Sequence, residues 1–268
     1  MKRRLPKLIA SDIDGTLLPL GSEIMPEEIF PLIRRLDAHG IIFCPASGRQ
    51  YSSMRRLFAP VADSLCFLCE NGSIIFGPGT EETAPILSTT RIPRATAMEL
   101  AHDIEALPDC DALISGTTTT YVCRKTKVLQ PDMEHLQGNR MGFYDVPEDI
   151  PEDIIKLAVY APDALRASDD ALRPKWGPRL NMAVAGRAWI DFTRSDKGTG
   201  IRALCAALDI DPAEVLAIGD NWNDLPMLDA VGMPWLMVTA APELKARYQN
   251  HCRSVPELLE GLLAGTEA

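Results

Sequence analysis

The sequence predicts an α/β protein: a doubly wound parallel sheet interrupted by an inserted α+β module. Three observations predict it. Short apolar runs of strand type alternate with helix-periodic segments from Leu8 to Phe76, and again from Ser195 to Leu263. Several of these runs stop abruptly in acids, hydroxyls and glycines, as strands do when they deliver residues to a crevice at their carboxyl ends. Between about Thr83 and Asp191 the alternation gives way to polar turns and hairpin patterns. These changes place the core at residues 1–83 and 191–268 and the insertion at 84–190.

The first strand, Leu8 to Ser11, runs into Asp12-Ile13-Asp14-Gly15-Thr16. Asp is depleted in strands, and two acids closing a buried one repel each other and resist desolvation. A dication with oxygen ligands resolves both problems; a polar loop turning at Asp14-Gly15 is the rival reading. Glu27 to His39 has helical spacing through Ile29, Leu32, Ile33 and Leu36, and stops at Gly40. Pro31 predicts that this helix is kinked or starts late. Ile41 to Cys44 is a short buried strand leading to Ser47-Gly48-Arg49, and a helix of about two turns follows to Phe58. Leu65 to Cys69 is a third strand, with Glu70-Asn71-Gly72-Ser73 as a tight turn into Ile74-Ile75-Phe76.

In the insertion, Ile86 to Ile92 suits a strand and Ala95 to Leu107 a helix. Ala112–Ile114 and Thr119–Cys123 read as a hairpin, Ile154–Tyr160 as a strand and Asp163–Leu172 as a helix. Arg179–Val184 and Ala188–Phe192 form a second hairpin turning at Gly186. The core pattern then resumes. A helix opens at Lys197, and the buried strand Val215–Ile218 ends in Gly219-Asp220-Asn221-Trp222-Asn223-Asp224. A helix (Leu225–Ala230), a strand (Trp235–Val238) and two more helices (Ala241–Tyr248, Pro256–Leu263) complete it.

Composition narrows the function. A net charge of −10 argues against nucleic acid as a partner. No apolar stretch reaches the ~18 uncharged residues of a membrane span, and the basic start meets Asp12 too soon for a signal-peptide core. Seven cysteines, an odd number, read as reduced thiols of a cytoplasmic protein. Cys66 and Cys69 form a CxxC, but it lies inside an apolar run with no second pair, so buried structural thiols are expected. No heptads appear, which leaves monomer and homodimer both open.

Strand ends far apart in sequence meet in one crevice in such a sheet. Here that crevice collects Asp12, Asp14, Ser47, Lys197, Asp220, Asn223 and Asp224. Carboxylates for a metal, a lysine for compensating charge and a hydroxyl beside backbone N–H groups are what phosphoryl transfer needs.

The four clusters resemble the motifs of the haloacid dehalogenase superfamily of phosphohydrolases, whose core sheet is Rossmann-like. Asp12-Ile13-Asp14-Gly15-Thr16 is similar to its DxDGT motif and Ser47-Gly48-Arg49 to the second motif. Lys197 in Asp-Lys-Gly is similar to the third, and Gly219 to Asp224 to GDxxND. The insertion and Glu70-Asn71-Gly72 resemble the Cof-type branch, which includes sugar-phosphate phosphatases and phosphomannomutase. The resemblance implies a Mg²⁺-dependent phosphatase acting on a small phosphorylated metabolite, a sugar phosphate above all, with the insertion as a substrate-selecting cap. It implies Asp12 as nucleophile and Asp14 as proton donor and acceptor. Mg²⁺ would be held by Asp12, the Asp14 backbone carbonyl and Asp220, with Asp224 orienting them. Ser47 and the N–H groups from Gly48 onward, Lys197 and Asn223 would bind phosphate. For Arg49, a salt bridge at the sheet edge and a substrate contact are equal readings. Trp222 is expected to be buried. Arg124, Lys125, Lys127, His135, Arg140 and Arg179 read as scattered surface charge. The chain departs from the family in having Thr239-Ala240 where an Asn-Ala pair is usual after the last core strand. A phosphomutase passing the phosphoryl group to a sugar hydroxyl is the near alternative. A phospho-accepting signalling module is the alternative of another class.

Overall fold

The structure, a computed structural model, describes residues 5–19, 22, 24–129, 136, 138–185 and 187–265. The expected turn at Gly186 and the residue His135 lie outside them. In chain order the elements are β1 (Leu8–Ser11), α1 (Ile29–Ala38), β2 (Ile42–Pro45), α2 (Tyr51–Leu57), β3 (Phe67–Cys69), β4 (Ile74–Phe76) and β5 (Ile86–Thr89). There follow α3 (Arg94–Glu105), β6 (Asp111–Gly116), β7 (Thr120–Cys123), β8 (Met141–Tyr144), β9 (Ile154–Tyr160), α4 (Leu165–Trp176), β10 (Asn181–Ala185) and β11 (Trp189–Thr193). The last are α5 (Lys197–Leu208), β12 (Val215–Gly219), α6 (Leu225–Leu228), β13 (Met233–Met237), α7 (Pro242–Lys245), β14 (His251–Cys252) and α8 (Val255–Ala264).

The chain divides into two compact units. The first comprises Met1–Arg49, Met54–Ser88 and Asp196–Ala268; the second comprises Gln50–Ser53 and Thr89–Ser195. In the first unit five parallel strands run in the order β14-β13-β12-β1-β2. The inner strand β1 therefore pairs with one strand near in sequence and one far away. Its register sets Ser11 beside both Pro45 and Ile218. β1 and β12 are buried on both faces, as parallel strands under helices are. Leu8, Ala10, Val215 and Ala217 join one apolar cluster with Ile201, Leu204 and Cys205 of α5 and Met227 and Leu228 of α6. Elsewhere in the unit α1 packs on α8.

Of the two readings of Pro31, the late start is the one seen: α1 begins at Ile29 and not at Glu27, which makes Pro31 the third helical residue, where the missing N–H has no intrahelical acceptor to lose. One reading of the core changes. Leu65–Cys69 does not become a full strand of the parallel sheet. Only Ala46 bridges Leu68 in parallel, and β3 pairs antiparallel with β4 in a three-stranded sheet with β5.

The second unit is a six-stranded sheet, order β10-β11-β9-β6-β7-β8. Its pairs are antiparallel except β7 with β8. Alternate residues serve opposite faces. Ala112, Ile114, Leu157 and Val159 pack with Ala101 and Ile104 of α3 and with Leu172 and Trp176 of α4; Leu113, Ala158 and Tyr160 pack with Leu129 and Leu136. Several of the scattered cations have structural partners here. Lys127 Nζ caps the carbonyls of Glu105 and Leu107, and Arg179 pairs with Glu99 over the Trp176 ring. Among the described residues no helix is long and apolar enough to cross a membrane.

Candidate active site

Because β1 and β12 are parallel neighbours, their carboxyl ends leave the sheet together. The Asp12 N–H donates to Ile218 O (2.9 Å), which fixes Asp12 beside Gly219-Asp220. Asp12, Asp220 and Asp224 thereby offer carboxylate oxygens within 4.8 Å of one another. Lys197, the first residue of α5, enters this group fully buried. Its helix starts there because Asp196 caps the Thr199 N–H at 2.6 Å. Lys197 Nζ donates to Asp12 Oδ1 and to Asp224 Oδ1, the latter at 2.6 Å. The remaining oxygen of Asp224 accepts the N–H groups of Asp220 (2.9 Å) and Asn221 (3.0 Å). Asp224 is thus committed to holding the loop and the lysine.

The electrostatics follow from three carboxylates, Asp12 and Asp224 buried and Asp220 half-buried, around one ammonium. Burial raises the Asp12 carboxyl well above the usual range, Asp224 adds to the rise, and Lys197 opposes it. Asp220 is raised by burial and by Asp224 in the same way. For Lys197, burial disfavours the ammonium, but Asp12 and Asp224 outweigh it and hold the group above the ordinary lysine value. The site therefore has an excess of oxygen-donor negative charge after its own cation is counted. That donor set fits a hard dication, which takes carboxylate oxygens. Thr16 completes it: its hydroxyl donates to Asp220 Oδ1 at 3.0 Å. Gly15, at φ 94°, lets the chain pass so close that a β-carbon there would lie 2.5 Å from Asp220 Oδ2.

Other expected residues lie around this group. Ser47 is buried; its hydroxyl accepts the Arg49 N–H (3.3 Å), and its carbonyl accepts the Asn71 N–H (3.0 Å). Gly48 faces the Asn71 amide. Asp14 does not join the three carboxylates with its side chain. It accepts two hydrogen bonds from Arg49, Nε to Oδ2 at 2.9 Å and Nη2 to Oδ1 at 2.6 Å. Of the two readings of Arg49 the salt bridge is the one seen, with Asp14 as its partner. Asn223 is exposed and, among the described residues, bonds to none of the group. Trp222 is a correction: it is 54% exposed, because the loop turns Asp220 and Asp224 inward and leaves the residue between them on the solvent side.

Sequence reasoning left Thr16 without a role. The available signal was a hydroxyl two residues beyond Asp14, after a glycine that lets the chain turn. The CxxC thiols lie in the core: Cys66 and Cys69 are free and buried, and burial pushes the Cys66 thiol up to about 11.

Comparison with known proteins bears on this geometry. A family model described as haloacid dehalogenase-like hydrolase matches residues 9–262. The chain is 26% identical over 243 residues to the 5-amino-6-(5-phospho-D-ribitylamino)uracil phosphatase YbjI of Escherichia coli, covering 90% of this chain and 88% of that one. It is 25% identical over 277 residues to the HMP-PP phosphatase of an Enterobacter species, covering 93% and 92%. A crystal structure from Eubacterium rectale superposes with a TM-score of 0.80 at 29% identity, covering 96% of this chain and 98% of the other.

Proposed function

The chain belongs to the haloacid dehalogenase-like hydrolases and is a phosphoric monoester hydrolase of a small phosphorylated metabolite; from that premise we propose that it works through a phosphorylated Asp12, with Mg²⁺ as its metal and a sugar phosphate as its substrate. The observation that carries the reading is the buried Lys197 between Asp12 and Asp224, with Asp220 beside them. A lysine locked to one oxygen of a carboxylate fixes that carboxylate's direction, which a nucleophile in an in-line displacement needs.

In this reading an Asp12 oxygen attacks phosphorus. The Asp12 O–P bond forms, the ester P–O bond breaks, and Asp14 gives its proton to the departing oxygen. Asp14 then takes a proton from the water that attacks the phosphoryl group, which releases inorganic phosphate and restores Asp12. Ser47 and the N–H groups that follow Gly48 hold phosphate oxygens, and Asn223 contacts them from the opposite loop. Lys197 offsets the charge that gathers between nucleophile and phosphate. Asp12, Asp220 and the Asp14 carbonyl are the residues assigned to Mg²⁺, which when bound supplies positive charge toward the phosphate oxygens. Asp224 orients Lys197 and the 220–221 backbone. Choice of substrate is assigned to the inserted unit.

A panel of phosphorylated metabolites assayed with Mg²⁺ for released phosphate tests the proposal. Sugar phosphates are expected among the responsive esters, and free phosphate, not an isomerised sugar phosphate, is the expected product. Asp12→Asn is expected to abolish release, and EDTA to remove it. Release at the wild-type rate by Asp12→Asn overturns the mechanism, and full activity in EDTA overturns the metal.

A further inference from the structure

The pair formed by Asp14 and Arg49 joins the segments that follow two neighbouring strands. β1 and β2 are parallel with Ser11 beside Pro45, so the segments that leave them run together. Asp14 lies three residues beyond the one and Arg49 four beyond the other. The two side chains meet fork to carboxylate, Nε on Oδ2 at 2.9 Å and Nη2 on Oδ1 at 2.6 Å. Both backbones beneath them are held. Around Asp14, Gly15 N–H donates to Leu18 O (2.8 Å) and Leu18 N–H to Ile13 O (2.7 Å). At Arg49 the N–H donates to the Ser47 hydroxyl (3.3 Å), and the carbonyl accepts the Glu70 N–H (3.1 Å). That Glu70 N–H belongs to a strained turn, for Glu70 and Asn71 sit at φ 50° and 53° without being glycine. Strain persists only where the surroundings over-determine it, and this turn also carries the Asn71 amide against Gly48.

The side chain of Asp14 is 49% exposed and that of Arg49 25%. An ion pair so open to water adds little stability, so stability is a weak reason for the arrangement. A fork of two parallel N–H groups does something a point charge cannot: it fixes the plane of the carboxylate. Each carboxylate oxygen has two lone pairs and uses one on Arg49. Among the described residues no other group takes the second lone pair on either oxygen, which suits a proton and a substrate oxygen.

We propose that Arg49 is the positioning residue of Asp14: its bidentate grip sets the direction in which Asp14 presents its proton to the leaving oxygen. The inference rests on the role given to Asp14 above and adds to it the residue that aims it. Arg49 acts through Asp14, and its loss is felt where the leaving group needs a proton.

The test is the leaving-group dependence of kcat/KM, which reports the steps through the first phosphoryl transfer. Arg49→Met and Arg49→Lys are compared with wild type on β-glycerol phosphate, whose alkoxide must be protonated, and on p-nitrophenyl phosphate, whose phenolate leaves as a stable anion. The expected result is a loss on the alkyl ester about tenfold greater than on the aryl ester, in both variants, since lysine keeps the charge but not the fork. In an Asp14→Asn background, Arg49→Met is expected to add less than about twofold on the alkyl ester. Equal losses on both esters make Arg49 a phosphate ligand and overturn the proposal, and so does a multiplicative effect in the double variant. Asp12→Asn, run alongside, separates the two levels. If it stays active, the aspartyl-phosphate reading fails; if it is inactive while Arg49→Met affects both esters equally, only the positioning role fails.

Discussion

Substituting Gly15 by alanine probes the site through a single methyl group. An added β-carbon would lie 2.5 Å from Asp220 Oδ2 and 2.9 Å from its Cγ, whereas real β-carbons essentially never approach closer than 3.0 Å. The Asp220 carboxylate must therefore retreat by about 0.5 Å or more, which is the limit of what catalytic constellations tolerate. Its bond to the Thr16 hydroxyl, 3.0 Å long, would stretch with it. A misplacement of ~1 Å costs about a hundredfold in rate, so a fall of roughly ten- to a hundredfold in kcat/KM is expected. The backbone adds its own effect: at φ 94° an L-residue is strained by about 1–2 kcal/mol. In a chain of this size that lowers Tm by roughly 2–8 °C. Gly40→Ala is the matched control, because Gly40 also has positive φ (71°) but an added β-carbon there meets nothing within 4 Å. It should lower Tm similarly and keep full activity. The assay is phosphate release from a responsive ester, with thermal melts followed by circular dichroism. A folded Gly15→Ala variant within twofold of wild-type kcat/KM would refute the reasoning, as would an equal activity loss in Gly40→Ala.

Two further outcomes are expected. Lys197→Met removes the one ammonium bonded to Asp12 and Asp224, and deleting one partner of a buried pair costs about 3–5 kcal/mol. Urea unfolding at neutral pH should show a loss of that order without metal, and millimolar Mg²⁺ should recover part of it by binding only the folded state; a loss under about 1 kcal/mol contradicts the electrostatic account. In the second unit, the bond to Glu148 at 2.7 Å raises the His102 pKa, against a smaller opposing effect of burial. A raised histidine contributes stability that is fully present below its unfolded value, about 6.5, and is lost as pH rises through the folded value. Glu148→Gln should return the His102 titration, followed by NMR, toward the unperturbed value, and an unchanged midpoint would show that the bond is not formed in solution.

Much of the site could be read from residue types at strand ends. Asp12 and Asp220 follow apolar runs so directly that parallel pairing brings them together, and a lysine at a helix start is one of few cations available to them. Side-chain direction within a loop was not legible. Trp222 reads as core by composition, yet the one-turn helix at 222–224 is built around Asp224, whose two N–H contacts decide which residues face inward. A salt bridge at Arg49 was one of its two readings, but the partner, Asp14, was hidden, because it depends on how far two loops travel from neighbouring strands. In the fold, the short elements escaped. β14 has only two residues and β8 only four, with Gly142 among them, too little for a period of two to register. Pairing partners were also out of reach: Leu65 to Cys69 has the apolar content of a central strand, but its antiparallel bond to β4 is set by the turn at 70–72.

The placing of β1 between β12 and β2 has a consequence for how the chain is made. Leu8 to Ser11 emerge from a ribosome about two hundred residues before their partners Val215 to Ile218. At ~5–20 residues per second, one edge of the most buried strand waits roughly 10–40 s for its neighbour. Through that interval the six-stranded sheet of the second unit can already close, since β6 to β11 are contiguous in the chain. Asp12, the proposed nucleophile at the end of β1, is thus the first of the proposed catalytic groups to be synthesised and among the last to find its setting. Mutations that slow the docking of β12 should then appear as aggregation during expression before they appear as a loss of activity in the purified protein.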